Sequence, residues 1–468
     1  MNRIDSHFDA VIVGSGFGGS INALRLAQSG KSVLVLERGR RYLPGQFPRD
    51  VINVNQLFWR YPDRPDSRGL YDVRFFSGIA AVVASGVGGG SLIYANIHIR
   101  PDPIVFEDPR WPRSITRKIL DPYYDRIRDM LGVSPVPSDI PLAKRDAFRD
   151  AAQKTGHEVF DPDEAVNWST STSSAGRGPC RMVAECEFGC QYGAKNTMDL
   201  TYLREAENLG AKVEPNIYVN HVEPSPEGYR VHYVDLDAQR SGYLTGSRVV
   251  LSAGTLGTNE ILLRSRNIGT LPRLSVQLGH GYSGNGDFLG SIQNSRMDLK
   301  PWEGTDVTSV IRYFESTPQF TMAAPTFNQP VMLVLASLGQ RRAGWLSLLS
   351  PVLWPLLRYL LPWAFGKGLL SRPASPPGPN AGDPARMTNL FAIGRDNANG
   401  LMSLRRGRLD IAWDYARENA ALVLKNVQRH AGNRRRVWRH IRSAFDLGPL
   451  SSNHHRAFAG RLSSIRDI

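Results

Sequence analysis

FDAVIVGSGFGGSINALRLAQSGKSVLVLERG, residues Phe8 to Gly39, decides the fold. It reads as a strand, a glycine turn, a helix and a second strand. Leu24 and Ala27 fall on one face of the helix, and the flanking strands are apolar without alternation, as strands covered on both faces must be. Such a unit is a parallel βαβ motif, and a doubly wound sheet follows from it. The glycines at 14, 16 and 19 form G-x-G-x-x-G between strand and helix. Gly14 permits the tight turn, Gly16 lets a pyrophosphate approach the backbone, and Gly19 lets helix and strand pack closely, with the helix N-terminus facing the anion. Glu37 ends the second strand, 23 residues after Gly14, where a carboxylate can accept hydrogen bonds from ribose hydroxyls. Motif and acid together predict a dinucleotide site.

A second glycine run decides which dinucleotide. SGVGGGSLIYAN, Ser85 to Asn96, has four glycines in five residues, a composition suited to backbone lying against a flat ring or a phosphate. A simple nicotinamide enzyme needs no such loop so early, whereas one wrapping a flavin does. Downstream, AKVEPNIYVNHVEP is strand-rich, and SRVVLSAGTLGTNEILLRSRN is a buried strand turning through Gly254 into a helix. LDPYYDRIRDMLGV reads as a helix, and TSVIRYFES and QPVMLVLASL read as strands of a second sheet. The fold class expected is α/β: a Rossmann-like FAD-binding domain with a parallel sheet, plus an α+β substrate domain with a mostly antiparallel sheet. Residues 1–130 and 190–290 form the discontinuous FAD-binding domain in this reading. Residues 131–189 connect or cover, 291–445 form the substrate domain, and 446–468 form an aberrant tail.

The length, 468 residues, exceeds what one core usually serves. A hydrophobic share of 41% with 21% charged residues excludes wholesale disorder. Net charge is +14, which suits either solubility or an anionic partner surface. The basic run RRRVWRHIR, Arg434 to Arg442, is expected as a solvated helix face, with no nucleic-acid partner, because no nucleic-acid fold signature accompanies it. Cys180, Cys186 and Cys190 lie within eleven residues, an odd count that argues against a disulfide framework and for a reducing compartment. Without a paired histidine motif they are not assigned a metal. MNRIDSH is short and polar, so no signal peptide is read and a cytoplasmic location is expected. Trp345 to Leu370 is dense in Leu and Trp, but Pro351, Pro355, Pro362 and Arg358 disfavour a spanning helix. It reads either as a buried helical hairpin or as an apolar gate in peripheral contact with a membrane.

FDAVIVGSGFGGSINALRLAQSGKSVLVLERGRRY, GVGGGSLIYANI, GCQYGAKNT, RVVLSAGTLGTNEILLRSRNIGTLPRL and LGHGYSGNGDFLG, in that order, resemble the glucose-methanol-choline (GMC) oxidoreductases, and most of all their cholesterol-oxidase-like branch. The similarity runs from about residue 8 to 290 and loosens toward 430. The resemblance implies FAD as cofactor and oxidation of the CH–OH group of a hydrophobic alcohol, by branch a sterol, as substrate and partner. It also implies that Gly14, Gly16 and Gly19 hold the pyrophosphate, and that Glu37 holds the ribose. Gly86, Gly89, Ser91 and Asn96 would run along the flavin, and Val219 and Gly254 would sit near the adenine end.

The family's base lies in an H-x-x-G-G segment and a later G-x-N-P segment, and neither motif occurs here, so the catalytic residues stay unassigned. His221 and His280 are not promoted to that role, and Glu315 reads as a surface carboxylate. Degenerate codons for Asn453 to Leu462, read one nucleotide out of frame, can spell T-I-T-A-H-L-L-G-G-C, which looks like the missing histidine segment. The tail is therefore expected to be a frame-shifted end, a real short variant or a divergent terminus, with weak FAD retention and poor or no turnover as the consequence. Two alternatives accompany the sterol-oxidase reading: a catalytically impaired homologue that at most binds FAD, and a basic peripheral lipid-binding protein.

Overall fold

The computed structural model describes residues 7–50, 53–76, 79–169, 177–292, 295–314, 319–329, 331–332, 383–419 and 422. Strand β1 (His7–Val13), helix α1 (Phe17–Gln28) and strand β2 (Val33–Leu36) realise the opening motif. β1 lies parallel to β2 on one side and to the long strand Arg240–Leu251 on the other, and Lys212–Glu214 extends the parallel set beyond β2. Two antiparallel strands, Gly228–Asp235 and Ile217–Ser225, complete a six-stranded sheet.

The unalternating apolar runs are explained by two covered faces. Ile12, Val33 and Val35 pack with Ala23 and Leu24 of α1 and with Leu203 and Ala206 of the helix Tyr202–Asn208. Val11, Val13, Leu34 and Leu36 pack on the other side with Val219, Val231 and Ile261. Each such side chain contributes about 1.5–3 kcal/mol by leaving water, so this sheet is the rigid platform of the molecule.

A second, five-stranded sheet is wholly antiparallel, in the order Phe288–Ile292, Thr388–Gly394, Phe320–Ala323, Val310–Tyr313, Val159–Phe160. Three further strands, His280–Tyr282, Gly400–Arg405 and Arg408–Ala412, form a small sheet, and Tyr71–Phe76 pairs with Ile79–Ala84 as a hairpin. The helix Arg117–Leu131 begins where the Thr116 hydroxyl accepts from Ile119 N–H and ends at Gly132, whose φ of +55° only glycine adopts freely.

One strand expectation, QPVMLVLASL, is corrected at its start, while its residues 330 and 333–338 lie outside the described residues. Gln329, Val331 and Met332 are helical: the Asn328 side chain accepts from Val331 N–H, and Met332 N–H returns to the Asn328 carbonyl. An asparagine that caps orphan N–H groups starts a helix here despite the β-branched, apolar run that follows. The Trp345–Leu370 segment, Glu315, the Arg434–Arg442 run and the tail lie outside the described residues. Among the described residues no helix is long and apolar enough to cross a membrane.

Candidate cofactor cleft

At the C-terminal edge of the parallel strands lies a cleft of about 320 Å³. Its walls come from the β1–α1 turn, the end of β2, the loop before Gly90, the strand at Ile217–Val219 and the turn Ser252–Gly254. The glycines make this convergence sterically feasible. Gly14 has φ +96°, and a Cβ there would stand 2.4 Å from the Ser252 carbonyl oxygen. Gly19 lies so close beneath the turn that a Cβ would stand 1.9 Å from the Gly14 oxygen. Gly89 presses on Gly16, a Cβ at 89 falling 2.6 Å from Gly16 Cα. Gly16, by contrast, has room for a side chain, an added Cβ coming only into ordinary contact with Gly89 Cα at 3.8 Å. The two glycine runs therefore meet in one slot that contains Gly14, Gly16, Gly18, Gly89 and Gly90. Among the described residues no side chain caps the start of α1 at Gly16, so the N–H groups and positive dipole end of that helix are open to the cleft.

Ser15 ties the two runs together. Its hydroxyl donates to Glu37 Oε2 at 2.7 Å and accepts from Gly88 N–H at 3.1 Å. Its own N–H donates to the same carboxylate at 3.1 Å. Gly39 N–H donates to the other oxygen, Oε1, at 2.9 Å, which leaves that oxygen acceptor capacity toward the cleft that Glu37 lines. Burial pushes the Glu37 carboxyl up, opposed by the hydrogen bonds from Gly39 and Ser15.

The sequence-predicted residues divide. Gly14, Gly16, Glu37, Gly89, Val219 and Gly254 line the cleft. Gly19, Gly86, Ser91 and Asn96 do not. Gly19 serves the packing of helix on turn, and Gly86 is flanked by Leu92 and the Tyr42 ring. The Ser91 hydroxyl donates to the Gly88 carbonyl at 2.7 Å and accepts from Met198 N–H at 3.0 Å, so it braces the loop from behind. Asn96 is fully buried at φ +66°, and neither of its amide side-chain atoms meets a protein partner among the described residues. His221 stacks on His232 at 4.1 Å, and His280 is exposed. The three cysteines are free thiols, and burial holds that of Cys186 well above its usual range.

Sequence reasoning missed a charged cluster beside the second glycine run. Lys195 Nζ donates to the carbonyls of Tyr94 and Cys186 at 2.6 and 2.9 Å and sits 4.6 Å over the Tyr94 ring. Tyr94 in turn contacts Phe17 of the cleft and hydrogen-bonds His98 Nε2 at 3.1 Å. Glu164, fully buried, accepts from the Thr305 hydroxyl at 2.8 Å, and burial pushes its carboxyl up to about 8. Burial brings Lys144 down to about 7 and Lys195 to about 8. Apart from the Cys186 carbonyl, their hydrogen-bond partners named here arrive from strands and loops more than 100 residues away, so no local motif announces the cluster.

Comparison with known proteins fits this geometry. The family model for GMC oxidoreductase matches residues 8–278. A cholesterol oxidase of Acinetobacter baumannii is 29% identical over 381 residues, covering 75% of this chain and 67% of that protein. A cholesterol oxidase of Mycobacterium tuberculosis (strain ATCC 25618 / H37Rv) is 33% identical over 328 residues, covering 65% and 56%. A 2-methyl-1,2-propanediol dehydrogenase of Mycolicibacterium austroafricanum is 27% identical over 290 residues, covering 56% and 51%. The chain thus spans from about half to two thirds of the length of these relatives. In fold it is similar to pyridoxine 4-oxidase from Mesorbium loti, with a TM-score of 0.50 at 14% identity over 89% of this chain and 79% of that one. A cleft kept open by glycines, fed by a bare helix N-terminus and closed by a buried acid suits the adenylated flavin on which this family relies. The chain belongs to the GMC oxidoreductases, a family of FAD-binding flavoproteins whose N-terminal domain carries the cofactor.

Proposed function

We propose that this chain binds FAD in the glycine-walled cleft and oxidises the CH–OH group of a hydrophobic alcohol, a sterol being the favoured substrate class. The observation that carries the reading is the meeting of the two glycine runs at Gly16 and Gly89, in a slot that ends at Glu37. The α1 N-terminus and the N–H groups around Gly14 to Gly18 would bind the pyrophosphate. Glu37 would accept from the adenosine ribose, and Val219 and Gly254 would flank the adenine end. Gly89 and Gly90 would lie against the flavin side, with Ser91 bracing them and Asn96 buried behind. FAD held there would supply the hydride-accepting chemistry that oxidation of the alcohol carbon requires. Ser15 and Gly39 hold the Glu37 carboxyl through protein hydrogen bonds alone, which would pre-form the adenosine site.

Residues 1–130 with 190–290 would form the FAD-binding unit, and the antiparallel sheet the substrate unit. The sterol assignment rests on similarity to the two cholesterol oxidases; the diol dehydrogenase among the relatives marks the breadth of alcohols the family handles. A second reading, FAD binding without turnover, is favoured by the absence of the H-x-x-G-G and G-x-N-P motifs from the sequence. One experiment separates the two. The purified chain, reconstituted with FAD and made anaerobic, is mixed with cholesterol or a simpler hydrophobic alcohol while the visible flavin bands are followed. Bleaching supports oxidation, a stable yellow protein supports the second reading, and a chain that takes up no flavin overturns both.

A further inference from the structure

The cleft beyond Glu37 is walled by charge as well as by glycine. Arg38 Nη2 lies 2.9 Å from Asp72 Oδ2. Arg74, on the same hairpin strand as Asp72, grips that oxygen through Nε and Nη2 at 3.0 and 2.8 Å and reaches Glu260 Oε2 through Nη1 at 2.9 Å. Glu260 Oε1 receives Arg264 Nη2 at 3.0 Å, and Arg264 also donates to the Asn220 carbonyl at 2.9 Å and to the Tyr218 hydroxyl at 3.3 Å. Three guanidiniums and two carboxylates thus form one unbroken chain from the end of β2, across the hairpin, to the helix Gly254–Asn267.

Arg38, Tyr218, Glu260 and Arg264 line the cleft, whereas Asp72 and Arg74 stand behind them. The five side chains are only 7 to 22% exposed. Pairs at that depth keep much more of their mutual attraction than surface pairs, and removing one partner strands the others. The forked contacts of Arg74 fix geometry in a way a point charge does not. The chain carries one surplus positive charge and presents Arg38 and Arg264 to the same cleft as the α1 N-terminus.

We propose that this ion chain is a clasp for the adenosine diphosphate moiety, in which Arg38 and Arg264 face the nucleotide and Asp72 and Arg74 are positioning residues that hold them there. The proposal rests on the reading of the cleft as a dinucleotide site and adds a retention element that the glycine motif lacks. Nucleotide affinity then depends on ion pairing and falls with salt.

The test uses the full chain freed of flavin and titrated calorimetrically with ADP, FAD and FMN, from about 50 to about 500 mM salt. ADP is expected to bind wild type and to weaken as salt rises. Asp72→Asn and Glu260→Gln are expected to weaken ADP and FAD by about tenfold or more and to flatten the salt dependence, while FMN, which has no adenylate, is unchanged. Arg74→Lys, which keeps charge but loses the fork, is expected to fall between. Near-ultraviolet circular dichroism checks that each variant is folded, and where Asp72→Asn fails to fold the other two carry the test. Folded variants with wild-type ADP affinity, a wild type that ignores ADP, or equal losses for FMN and ADP would each overturn the clasp. Binding of ADP with the expected variant losses but no uptake of FAD would leave the clasp standing and remove the flavin reading.

Discussion

Replacing Gly16 by alanine separates the cleft from the fold, because the structure gives the new methyl somewhere to go. Gly16 has φ −71°, a conformation alanine adopts without strain, and an added Cβ meets nothing nearer than 3.8 Å. Folding stability should therefore stay level or rise by about 0.4–1 kcal/mol, the gain expected when a glycine's unfolded-state freedom is removed. The methyl would, however, stand in the slot between Gly16 and Gly89, where a pyrophosphate must approach the helix N–H groups. Losing one charge-assisted hydrogen bond to such an anion costs about 1.5–3 kcal/mol, so FAD affinity should fall roughly tenfold to a hundredfold. Thermal melting of the flavin-free chain reads the first effect, and fluorescence titration with FAD reads the second. A folded Gly16→Ala chain that binds FAD as well as wild type would show that the cofactor does not pass over Gly16.

Other substitutions probe the frame around it. Gly14→Ala puts a methyl 2.4 Å from the Ser252 oxygen at φ +96°, and a loss of about 3–5 kcal/mol in denaturant unfolding is expected; a soluble variant within about 1 kcal/mol of wild type would contradict the packing argument. Ser15→Ala removes the bonds to Glu37 and Gly88 at once, with an expected cost of about 2–3 kcal/mol by the same assay and a weaker hold on FAD. The Glu164 carboxyl, raised from its ordinary 4.5 to about 8, is held protonated by the fold, so its contribution is complete below about pH 4.5 and fades as pH climbs toward about 8. Lys144, lowered from 10.5 to about 7, favours the fold increasingly above pH 7 and leaves the lower window to the carboxyls. Unfolding measured at pH 5 and pH 7 should show wild type losing stability across that interval and Glu164→Gln losing less; parallel slopes would count against the buried acid.

The parallel platform was legible because its signals are local: apolar strands without alternation, a turn that requires glycine, and an acid at a fixed distance along the chain. Six of the named glycine, acid and valine positions lie along one cleft for the same reason, since the motif specifies backbone path directly. Ser91 and Gly86 sit in the second loop but turn toward its own packing, against Leu92 of the same loop and against Tyr42 and Met198 from elsewhere in the chain. Ser15 lies inside the motif as an unspecified x, although its hydroxyl joins the two loops. The Arg74–Glu260 pair and the Lys195 cluster involve separations that no window of sequence displays. The helical turn at Gln329 was misread because one capping asparagine outweighed a run of strand-favouring residues.

The pairing of β1 with the strand Arg240–Leu251 has a consequence for biosynthesis. The hydrogen bond between His7 and Thr245 spans 238 residues, so the ribosome finishes β1 long before its neighbour exists. At about 5–20 residues per second, one flank of the nascent first strand waits on the order of ten to fifty seconds with its amides unmatched. An unsatisfied ribbon of that kind, apolar from Ala10 to Val13, invites promiscuous association, and chaperone occupancy early in translation would guard it.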